Sequence, residues 1–378
     1  MKLQGIMVGM ALLLGACQTN QMKIEGEIGG NLSDRIYLKE VVNELYGVYR
    51  TIDSSEINSG KFSFVLDSIK PQLFFLGFNN QEGGLIFTGD GTTSVKFNAI
   101  KDGRIVWDVK GSVWNDYYLT YMKEKYDIRN QRAIDSLDSL FYAARSINDT
   151  REMSRIKTIS MPYYRKAEQA EKQLDERWIN EHKEDVFGIY LYYNKVFMRK
   201  TFKTLDDVDV ERNFLKSFGQ QALFSAYKDK IDKRLALYAG CAVGAVAPEI
   251  VGIDTLGHPI KLSDFRGKYV IVDFWNSYCH WCRKESPWLQ RALVAFQDKN
   301  FTILGVSNDA KQELWLKAIA DDNSRWNQLL VPRGSKVMDT YCIKAIPHII
   351  LVGPDGKILA KEIRHEELVE VPRKFMEQ

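Results

Sequence analysis

Two cysteines separated by two residues, Cys279 and Cys282, form the pattern with the clearest chemistry in this 378-residue chain. They follow a short apolar run of strand-forming residues, 270–275, and a polar turn, which places them at the predicted start of a helix. The N–H groups and partial positive charge of a helix N-terminus lower the pKa of a thiol there from about 8.5 toward ~3.5–7.5. The C-x-x-C spacing then lets the second thiol displace the first from a mixed disulfide. The pattern predicts dithiol-disulfide exchange.

Other uses of a cysteine pair fit this sequence less well. A structural zinc site needs four ligands, usually from two paired motifs, and the chain has one C-x-x-C. Covalent haem attachment needs His directly after the second cysteine, where this chain has Arg283. The sequence also lacks the Pro-x-x-x-Thr-x-x-Cys run of a peroxidatic cysteine. We therefore expect no metal, and no cofactor beyond the redox-active disulfide of Cys279 and Cys282.

The residues around the cysteine pair resemble thioredoxin, in which a strand containing Asp-Phe-Trp precedes Trp-Cys-x-x-Cys. Here Asp273-Phe274-Trp275 stands at the same distance before Cys279. Three further stretches are similar to the periplasmic TlpA/ResA-like thiol-disulfide oxidoreductases, namely Gly-Ala-Val-Ala-Pro-Glu-Ile at 244–250, Leu-Ser-Asp-Phe-Arg-Gly-Lys at 262–268, and Ile346-Pro347 before a strand. The resemblance covers residues 244–378.

The resemblance implies a role for each residue of the site. Cys279 becomes the exposed nucleophile and Cys282 the buried resolving thiol, with Asp273 assisting proton transfer at Cys282. Glu285 matches a functional acid of ResA-like proteins, although an ordinary surface acid near a helix start also fits that position. Pro347 should follow a cis peptide bond and lie against the cysteines. The implied substrate-binding surface comprises Trp275, Trp281, Ile346 and Pro347.

Three residues depart from the pattern of these families. His280 and Trp281 replace the Gly-Pro of thioredoxin, and His348 replaces the usual Thr after the proline. A protonated His280 beside Cys279 would favour the thiolate and make the pair more oxidising, whereas Trp281 could pack over the disulfide as a docking surface. The direction of electron flow therefore stays open.

The N-terminus predicts export. Residues 1–16 have the basic start, short apolar core and small-residue end of a signal peptide. Leu14-Gly15-Ala16-Cys17 also resembles a bacterial lipobox, which would make Cys17 the lipid-bearing first residue of a protein held on a membrane of the cell envelope and facing the periplasm. The alternative is an unmodified signal peptide with a chance cysteine. An oxidising compartment suits a redox-active pair.

The rest of the chain divides into three predicted segments. Residues 17–113 alternate strand-like runs with turns, which predicts an all-β sandwich or barrel, and they resemble the uncharacterised β-domain that precedes thioredoxin domains in Bacteroides-type lipoproteins. Residues 114–240 hold few glycines and prolines and carry apolar residues three and four apart, so they should be helical. Gly244 and Pro248 mark the start of an α/β thioredoxin-like domain over 242–378.

In this last domain strands alternate with helices, which predicts a mixed sheet covered on both faces. The predicted order is strand 268–275, helix 280–297, strand 301–307, helix 310–320, strands 347–353 and 356–363, and helix 366–376. Two cysteines are left over. Cys342 lies in an apolar context and is expected to be a buried, inert thiol, while Cys241 lies in the linker and shows no pattern.

These observations predict an envelope thiol-disulfide oxidoreductase, a reductase or an isomerase. Its partners would be thiols and disulfides of exported proteins and a membrane electron donor. The net charge of +3 is slight and the charges are interleaved, so nothing points to nucleic acid. The alternative is a non-enzymatic envelope protein that uses the thioredoxin fold as a binding module. The intact set of Cys279, Cys282, Asp273 and Pro347 favours the enzyme.

Overall fold

The structure is a computed structural model, and it describes residues 21–28, 33–44, 47–67, 69–78, 83–89, 91–101, 104–129 and 132–377. The predicted signal peptide, 1–16, and the predicted lipid-bearing Cys17 lie outside the described residues. The chain divides into two compact units. The first comprises the described residues up to Val196 together with Phe218–Lys228, and the second comprises Phe197–Ser217 and everything from Asp229 onward.

The first unit begins with strands, as predicted. These are β1 (Gln21–Glu27), β2 (Arg35–Asn43), β3 (Val48–Glu56), β4 (Lys61–Asp67), β5 (Leu73–Gly77), β6 (Gly83–Phe87), β7 (Thr92–Lys101) and β8 (Arg104–Lys110). They form two four-stranded sheets, with strand orders β4-β1-β7-β8 and β3-β2-β5-β6. In β4 exposed and buried residues alternate, which is the period of a strand with one face toward the core. Apolar side chains of both sheets join in one buried cluster.

Helices follow the strands, so the helical segment predicted in the middle of the chain is present. These are α1 (Val113–Arg129), α2 (Arg132–Ser146), α3 (Thr150–Glu181), α4 (Val186–Leu191), α5 (Leu205–Leu215), α6 (Gln220–Leu223) and α7 (Ala226–Gly240). Asp149 caps α3 by accepting a hydrogen bond from the Glu152 N–H. Every residue of α4 is buried. Within the described residues, no helix has the length and hydropathy needed to cross a membrane.

The second unit contains a seven-stranded mixed sheet. Its strands are β9 (Val251–Ile253), β10 (Pro259–Lys261), β11 (Tyr269–Trp275), β12 (Phe301–Ser307), β13 (Asn327–Leu330), β14 (His348–Val352) and β15 (Ile358–Lys361), in the order β10-β9-β13-β12-β11-β14-β15. β11 pairs in parallel with β12 and antiparallel with β14. A strand in this central place is covered on both faces, which is why β11 reads as a nearly continuous apolar run.

Besides α5 and most of α7, this unit contains the helices α8 (His280–Ala295), α9 (Gln312–Asp321), α10 (Val337–Thr340) and α11 (Glu367–Met376). One apolar cluster joins Ile271 of β11 to Leu289 and Ala292 of α8 and Leu368 of α11. Because alternate residues of a strand point to the same face, Asp273 lies on the face of β11 that α8 covers. The strand thereby places one acid directly beneath the helix that carries the cysteines.

The seven strands and helices predicted for the last domain are confirmed, and each observed end lies within two residues of the predicted one. Pro287 lies inside α8. The prediction missed β9, β10, β13 and α10, each of which has three or four residues. Elements this short do not repeat a hydrophobic period often enough to be recognised.

Candidate active site

Cys279 and Cys282 form a disulfide at the N-terminus of α8, with their Cα atoms 5.2 Å apart. Cys279 is the N-cap residue, and its Sγ accepts a hydrogen bond from the Cys282 N–H at 3.1 Å. Cys279 is partly exposed, whereas Cys282 is 2% exposed and packs against the Trp315 side chain of α9. The two sulfurs therefore differ in access as predicted, and the helix N-terminus stabilises negative charge on Cys279 in the reduced pair.

Asp273 is 4% exposed and lies two residues before the end of β11. Loss of hydration raises the pKa of its carboxyl to about 7, with the Arg364 guanidinium opposing this rise and the Glu285 carboxylate adding to it. Its Oδ1 atom is buried without a hydrogen-bond partner in the protein. A carboxyl with a pKa near neutrality takes up and releases a proton at working pH, which is the property required of a general acid and base.

Glu285 is 3% exposed, so the alternative of an ordinary surface acid does not describe its place in the structure. It lies three residues after Cys282 on the buried face of α8. Its Oε2 accepts a hydrogen bond from the His365 N–H at 3.1 Å, and its Oε1 lies 3.4 Å from the His365 Nδ1. Glu285 thus joins the helix of the cysteines to the segment before α11.

The Ile346–Pro347 peptide is cis, as predicted. Ile346 packs against the cluster formed by Trp275, Cys282 and Trp315, and is therefore beside the cysteine pair. The Pro347 carbonyl accepts a hydrogen bond from the Arg364 guanidinium. Both residues of this cis peptide are partly exposed, so the loop is accessible to a substrate.

The other two residues predicted to bind substrate differ in exposure. Trp281 is 67% exposed, with the Lys284 ammonium 4.6 Å above its ring, so it offers an open aromatic surface next to the cysteines. Trp275 is buried, and its indole N–H donates to the Gln328 Oε1 at 3.2 Å. A direct contact of Trp275 with substrate stays a prediction, while its buried ring supports the cysteine helix.

Polar contacts fix the loop between β11 and α8. Asp309 accepts hydrogen bonds from the Ser277 N–H at 2.9 Å, the Ser277 hydroxyl at 2.6 Å and the Ser307 hydroxyl at 2.7 Å. At the start of α8, the Arg283 guanidinium donates to both carboxylate oxygens of Asp322, from Nε at 2.8 Å and 3.0 Å. These charge-assisted contacts hold the cysteine turn and the helix start in place.

Sequence reasoning missed Asp309, Asp322, Arg364 and His365. None of them lies in a recognisable motif, and all act through partners far along the chain. His348 was noted as a departure, and the structure places it in a buried position on β14 beside the Phe274 ring. Burial lowers the pKa of His348 to about 4, with the nearby Lys361 charge adding to the effect, so it stays neutral at working pH.

The arrangement brings together an accessible sulfur, a buried sulfur, a protonatable acid behind them and an accessible cis-proline loop. Among the residues described, no group of three or more His, Cys, Asp and Glu side chains is placed to hold a metal ion. The chemistry that these side chains provide is thiol-disulfide exchange. The fold and the site define a thioredoxin-like domain with a redox-active cysteine pair.

Two regions of the chain match known protein families. Residues 243–361 match the AhpC/TSA family, and residues 22–118 match a domain of unknown function, DUF4369. The thiol-disulfide oxidoreductase ResA of Bacillus cereus is 29% identical over 121 residues, which are 32% of this chain and 69% of ResA.

Two solved structures from Bacteroides are more similar in sequence. The thioredoxin domain of a thiol-disulfide oxidoreductase from Bacteroides vulgatus is 52% identical and matches 36% of this chain and 98% of that domain, with a TM-score of 0.35. A thiol:disulfide interchange protein from Bacteroides sp. is 51% identical over 37% of this chain and 93% of its own, with a TM-score of 0.36. On the strength of this sequence identity, the chain belongs to the TlpA/ResA-like thiol-disulfide oxidoreductases.

Proposed function

We propose that this thiol-disulfide oxidoreductase acts on exported proteins, as a reductase or isomerase of their disulfides. The observation that supports this most is the asymmetry of the pair, with Cys279 accessible at a helix N-terminus and Cys282 buried one turn inside the helix. An enzyme that forms and then releases a mixed disulfide needs this difference in access. An intact pair with these neighbours also favours an enzyme over a binding module.

The reaction begins with the reduced pair. The Cys279 thiolate attacks one sulfur of a substrate disulfide, forming a mixed disulfide, and the departing substrate thiolate takes a proton. Cys282 then gives its proton to the ionised carboxyl of Asp273 and attacks the Cys279 sulfur. The second substrate sulfur leaves and takes up a proton, and the pair ends as the disulfide present in the structure. The substrate gains two electrons and becomes a dithiol, and the cysteine pair supplies them.

The remaining residues of the site have supporting roles. Glu285 sets the charge near Asp273 and holds the His365 segment. Trp281, Ile346 and Pro347 form the surface against which a substrate chain lies, and Trp275 supports it from beneath. We expect the chain to accelerate the reduction of insulin by dithiothreitol, and the Cys279→Ser variant to leave that reaction at the uncatalysed rate. Equal rates for the two chains would refute the proposed activity.

We place the protein in the cell envelope, facing the periplasm, with Cys17 as its lipid-bearing residue and a membrane protein as its electron donor. The support is the signal-like sequence of 1–16 and the lipobox-like Leu14-Gly15-Ala16-Cys17. In cells, the wild-type chain should sediment with membranes, and the Cys17→Ser variant should move to the soluble fraction. Unchanged partitioning of that variant would contradict lipid attachment.

The N-terminal β-domain, 17–113, is proposed to be a sandwich. Its support is the apolar cluster that draws side chains from both four-stranded sheets. The borders of the helical segment, 114–240, and of the thioredoxin-like domain, 242–378, are likewise proposals. Phe197–Ser217 and the chain from Asp229 onward form one compact unit, so limited proteolysis at 240–242 tests this border, and resistance to cleavage there would contradict it.

A further inference from the structure

A second pair of cysteines, Cys241 and Cys342, lies within the second unit. Cys241 follows α7 and is fully buried, and Cys342 lies in the turn after α10 and is 7% exposed. The two thiols lie close enough for each to shift the pKa of the other, and neither is in a disulfide. The sequence shows no pattern at Cys241 and predicts a buried, inert thiol at Cys342. Cys342 is buried as predicted, and its lack of reactivity stays a prediction.

Backbone pairing explains why these distant positions meet. The segment after α7 runs alongside β15, where the Gly244 N–H donates to the Ile358 carbonyl and the Ile358 N–H donates to the Ala245 carbonyl, each at 2.8 Å. This pairing carries Cys241 to the edge strand of the sheet. Cys342 has a positive φ of 56°, which is uncommon for a residue with a side chain and is kept only where the surroundings fix it.

A partly buried cation supports a thiolate at Cys241. The Lys361 ammonium, on β15, donates to the Cys241 carbonyl at 2.7 Å and lies 3.4 Å from the Cys241 Sγ. The hydrogen bond from Cys342 and the charges of Lys361 and Arg234 lower the pKa of Cys241 to about 6, while burial acts in the opposite direction. The same contact raises the pKa of the Cys342 thiol, which keeps its proton and donates it to Cys241.

The other titratable groups around the pair come from α7 and from the segment after α10. Tyr238 of α7 and Tyr341 beside Cys342 have raised pKa values, mainly through burial, and are neutral at working pH. Lys344 also faces Cys342, and burial lowers its pKa. The charges nearest the sulfurs are therefore positive, which favours the thiolate form.

Cys342 also lies close in sequence to the loop that carries the cis peptide. Lys344, two residues further on, donates a hydrogen bond to the Met198 carbonyl at 2.9 Å and another to the Lys200 carbonyl. Pro347 follows three residues after Lys344. A covalent bond at Cys342 would therefore tie the cis-proline loop to the end of α7.

We propose that Cys241 and Cys342 are a second redox-active pair, which closes to a disulfide by exchange with an incoming disulfide and fixes the cis-proline loop to the segment after α7. This pair lies outside the motif and uses neither Cys279 nor Cys282. It therefore does not depend on the function proposed for them. The incoming oxidant is a low-molecular-weight or protein disulfide, the class of compound with which the family already reacts.

The exchange consumes one incoming disulfide for each disulfide formed between Cys241 and Cys342. Cys342, the more exposed thiol, passes its proton to the Cys241 sulfur and attacks the incoming disulfide, releasing one thiolate. Cys241, held beside Lys361, then loses its proton and attacks the Cys342 sulfur, releasing the second thiolate. The pair begins with one proton, on Cys342, which goes to one released thiolate, and the other released thiolate takes its proton from water. Two cysteine thiols are oxidised to one disulfide, and the incoming disulfide is reduced to two thiols.

The test uses the full chain with Cys17→Ser, Cys279→Ser and Cys282→Ser, which leaves only Cys241 and Cys342. It is equilibrated in buffers of glutathione and glutathione disulfide, quenched with acid and alkylated in denaturant. As the fraction of glutathione disulfide in the buffer rises, protein with both cysteines alkylated should be replaced by protein that carries neither the alkyl label nor glutathione. Peptide mapping should then find a Cys241–Cys342 cross-link. The melting temperature should rise on oxidation, because the cross-link restricts the unfolded chain.

Two further variants of this chain separate a reactive pair from a chance contact. With Cys241→Ser added, glutathione should remain attached to Cys342, because the resolving thiol is gone. With Lys361→Met added, the ultraviolet absorbance of the thiolate should appear at higher pH, and cross-linking at pH 7 should slow roughly tenfold or more. If the Lys361→Met chain behaves like its parent, the account of Cys241 is wrong.

The proposal is overturned if both thiols stay alkylatable in buffers that oxidise Cys279 and Cys282 of the unmodified chain. It is also overturned if oxidation yields only separate glutathione adducts. Should the three serine substitutions prevent folding, peptide mapping of the oxidised unmodified chain decides the matter, since the Cys241–Cys342 and Cys279–Cys282 cross-links have different masses. Insulin reduction by the unmodified chain tests the other pair separately, so failure of one proposal does not imply failure of the other.

Discussion

The buried carboxylate of Glu285 accepts a hydrogen bond from the backbone N–H of His365 at 3.1 Å, which joins the helix of the cysteines to the segment before α11. The same carboxylate raises the pKa of Asp273. One acid therefore has two separable effects. It organises the backbone beside the site, and it adjusts the proton affinity of the acid behind Cys282.

Replacement of Glu285 with Gln should separate these two effects. The amide oxygen can still accept the His365 hydrogen bond, while the charge is lost. Because the Glu285 charge raises the pKa of Asp273, that pKa should be lower in the variant by roughly half a unit to one unit. The carboxyl carbon signal of Asp273, followed by NMR against pH, measures this shift.

Glu366→Gln is the matched control, since Glu366 is an exposed acid next to His365. It should leave the Asp273 titration unchanged. An unaltered Asp273 titration in Glu285→Gln, in a chain that retains its fold, would show that Glu285 does not act on Asp273.

Asp273 should make the protein less stable as the pH rises. Its pKa is near 3.8 when unfolded and about 7 when folded, so between those values the folded state binds more protons than the unfolded state. The free energy of unfolding therefore falls as pH rises from about 4 to about 7 and is lowest above that range. Asp273→Asn removes this penalty, and the oxidised variant should be more stable than wild type at pH 8 by about 2–4 kcal/mol.

The same substitution should reduce activity, because Cys282 loses its proton acceptor. We expect insulin reduction at pH 7 to slow roughly tenfold to a hundredfold. Urea unfolding at pH 4.5 and pH 8 measures the stability, and the insulin assay measures the activity. Asp309→Asn is the control, since it removes a buried charge that is hydrogen-bonded to Ser277 and Ser307 and should destabilise the protein at both pH values. A variant of Asp273 that is no more stable than wild type at pH 8 would contradict a raised pKa.

The parts of the site that the sequence reveals are those that depend on local pattern. β11 is recognisable because every position inside it is apolar except Asp273, and that exception marks the acid. Cys279 and Cys282 are recognisable because dithiol-disulfide exchange requires two cysteines at this close spacing. The cis peptide before Pro347 was predicted through family resemblance, since an X-Pro bond is otherwise expected to be trans.

The parts that the sequence hides depend on contacts between distant positions. β13 carries the buried Gln328, whose partner is the Trp275 indole, and a four-residue strand with polar residues shows no period. Arg364 reads as a surface cation until β14 and β15 bring it to the Pro347 carbonyl. Cys241 and Cys342 share no motif, and Cys241 reaches β15 through backbone bonds of Gly244 and Ala245 to Ile358.

The difference in access between Cys279 and Cys282 is the central claim, and trapping of mixed disulfides tests it most directly. In Cys282→Ser the attacking thiolate remains and the resolving thiol is lost, so substrate proteins should accumulate as stable disulfide-linked adducts on Cys279. In Cys279→Ser the remaining thiol is buried, and far fewer adducts should form. Non-reducing electrophoresis with mass spectrometry of the adducts gives both the order of attack and the identity of the substrates. Equal trapping by the two variants, or none by either, would contradict the assignment of Cys279 as the nucleophile.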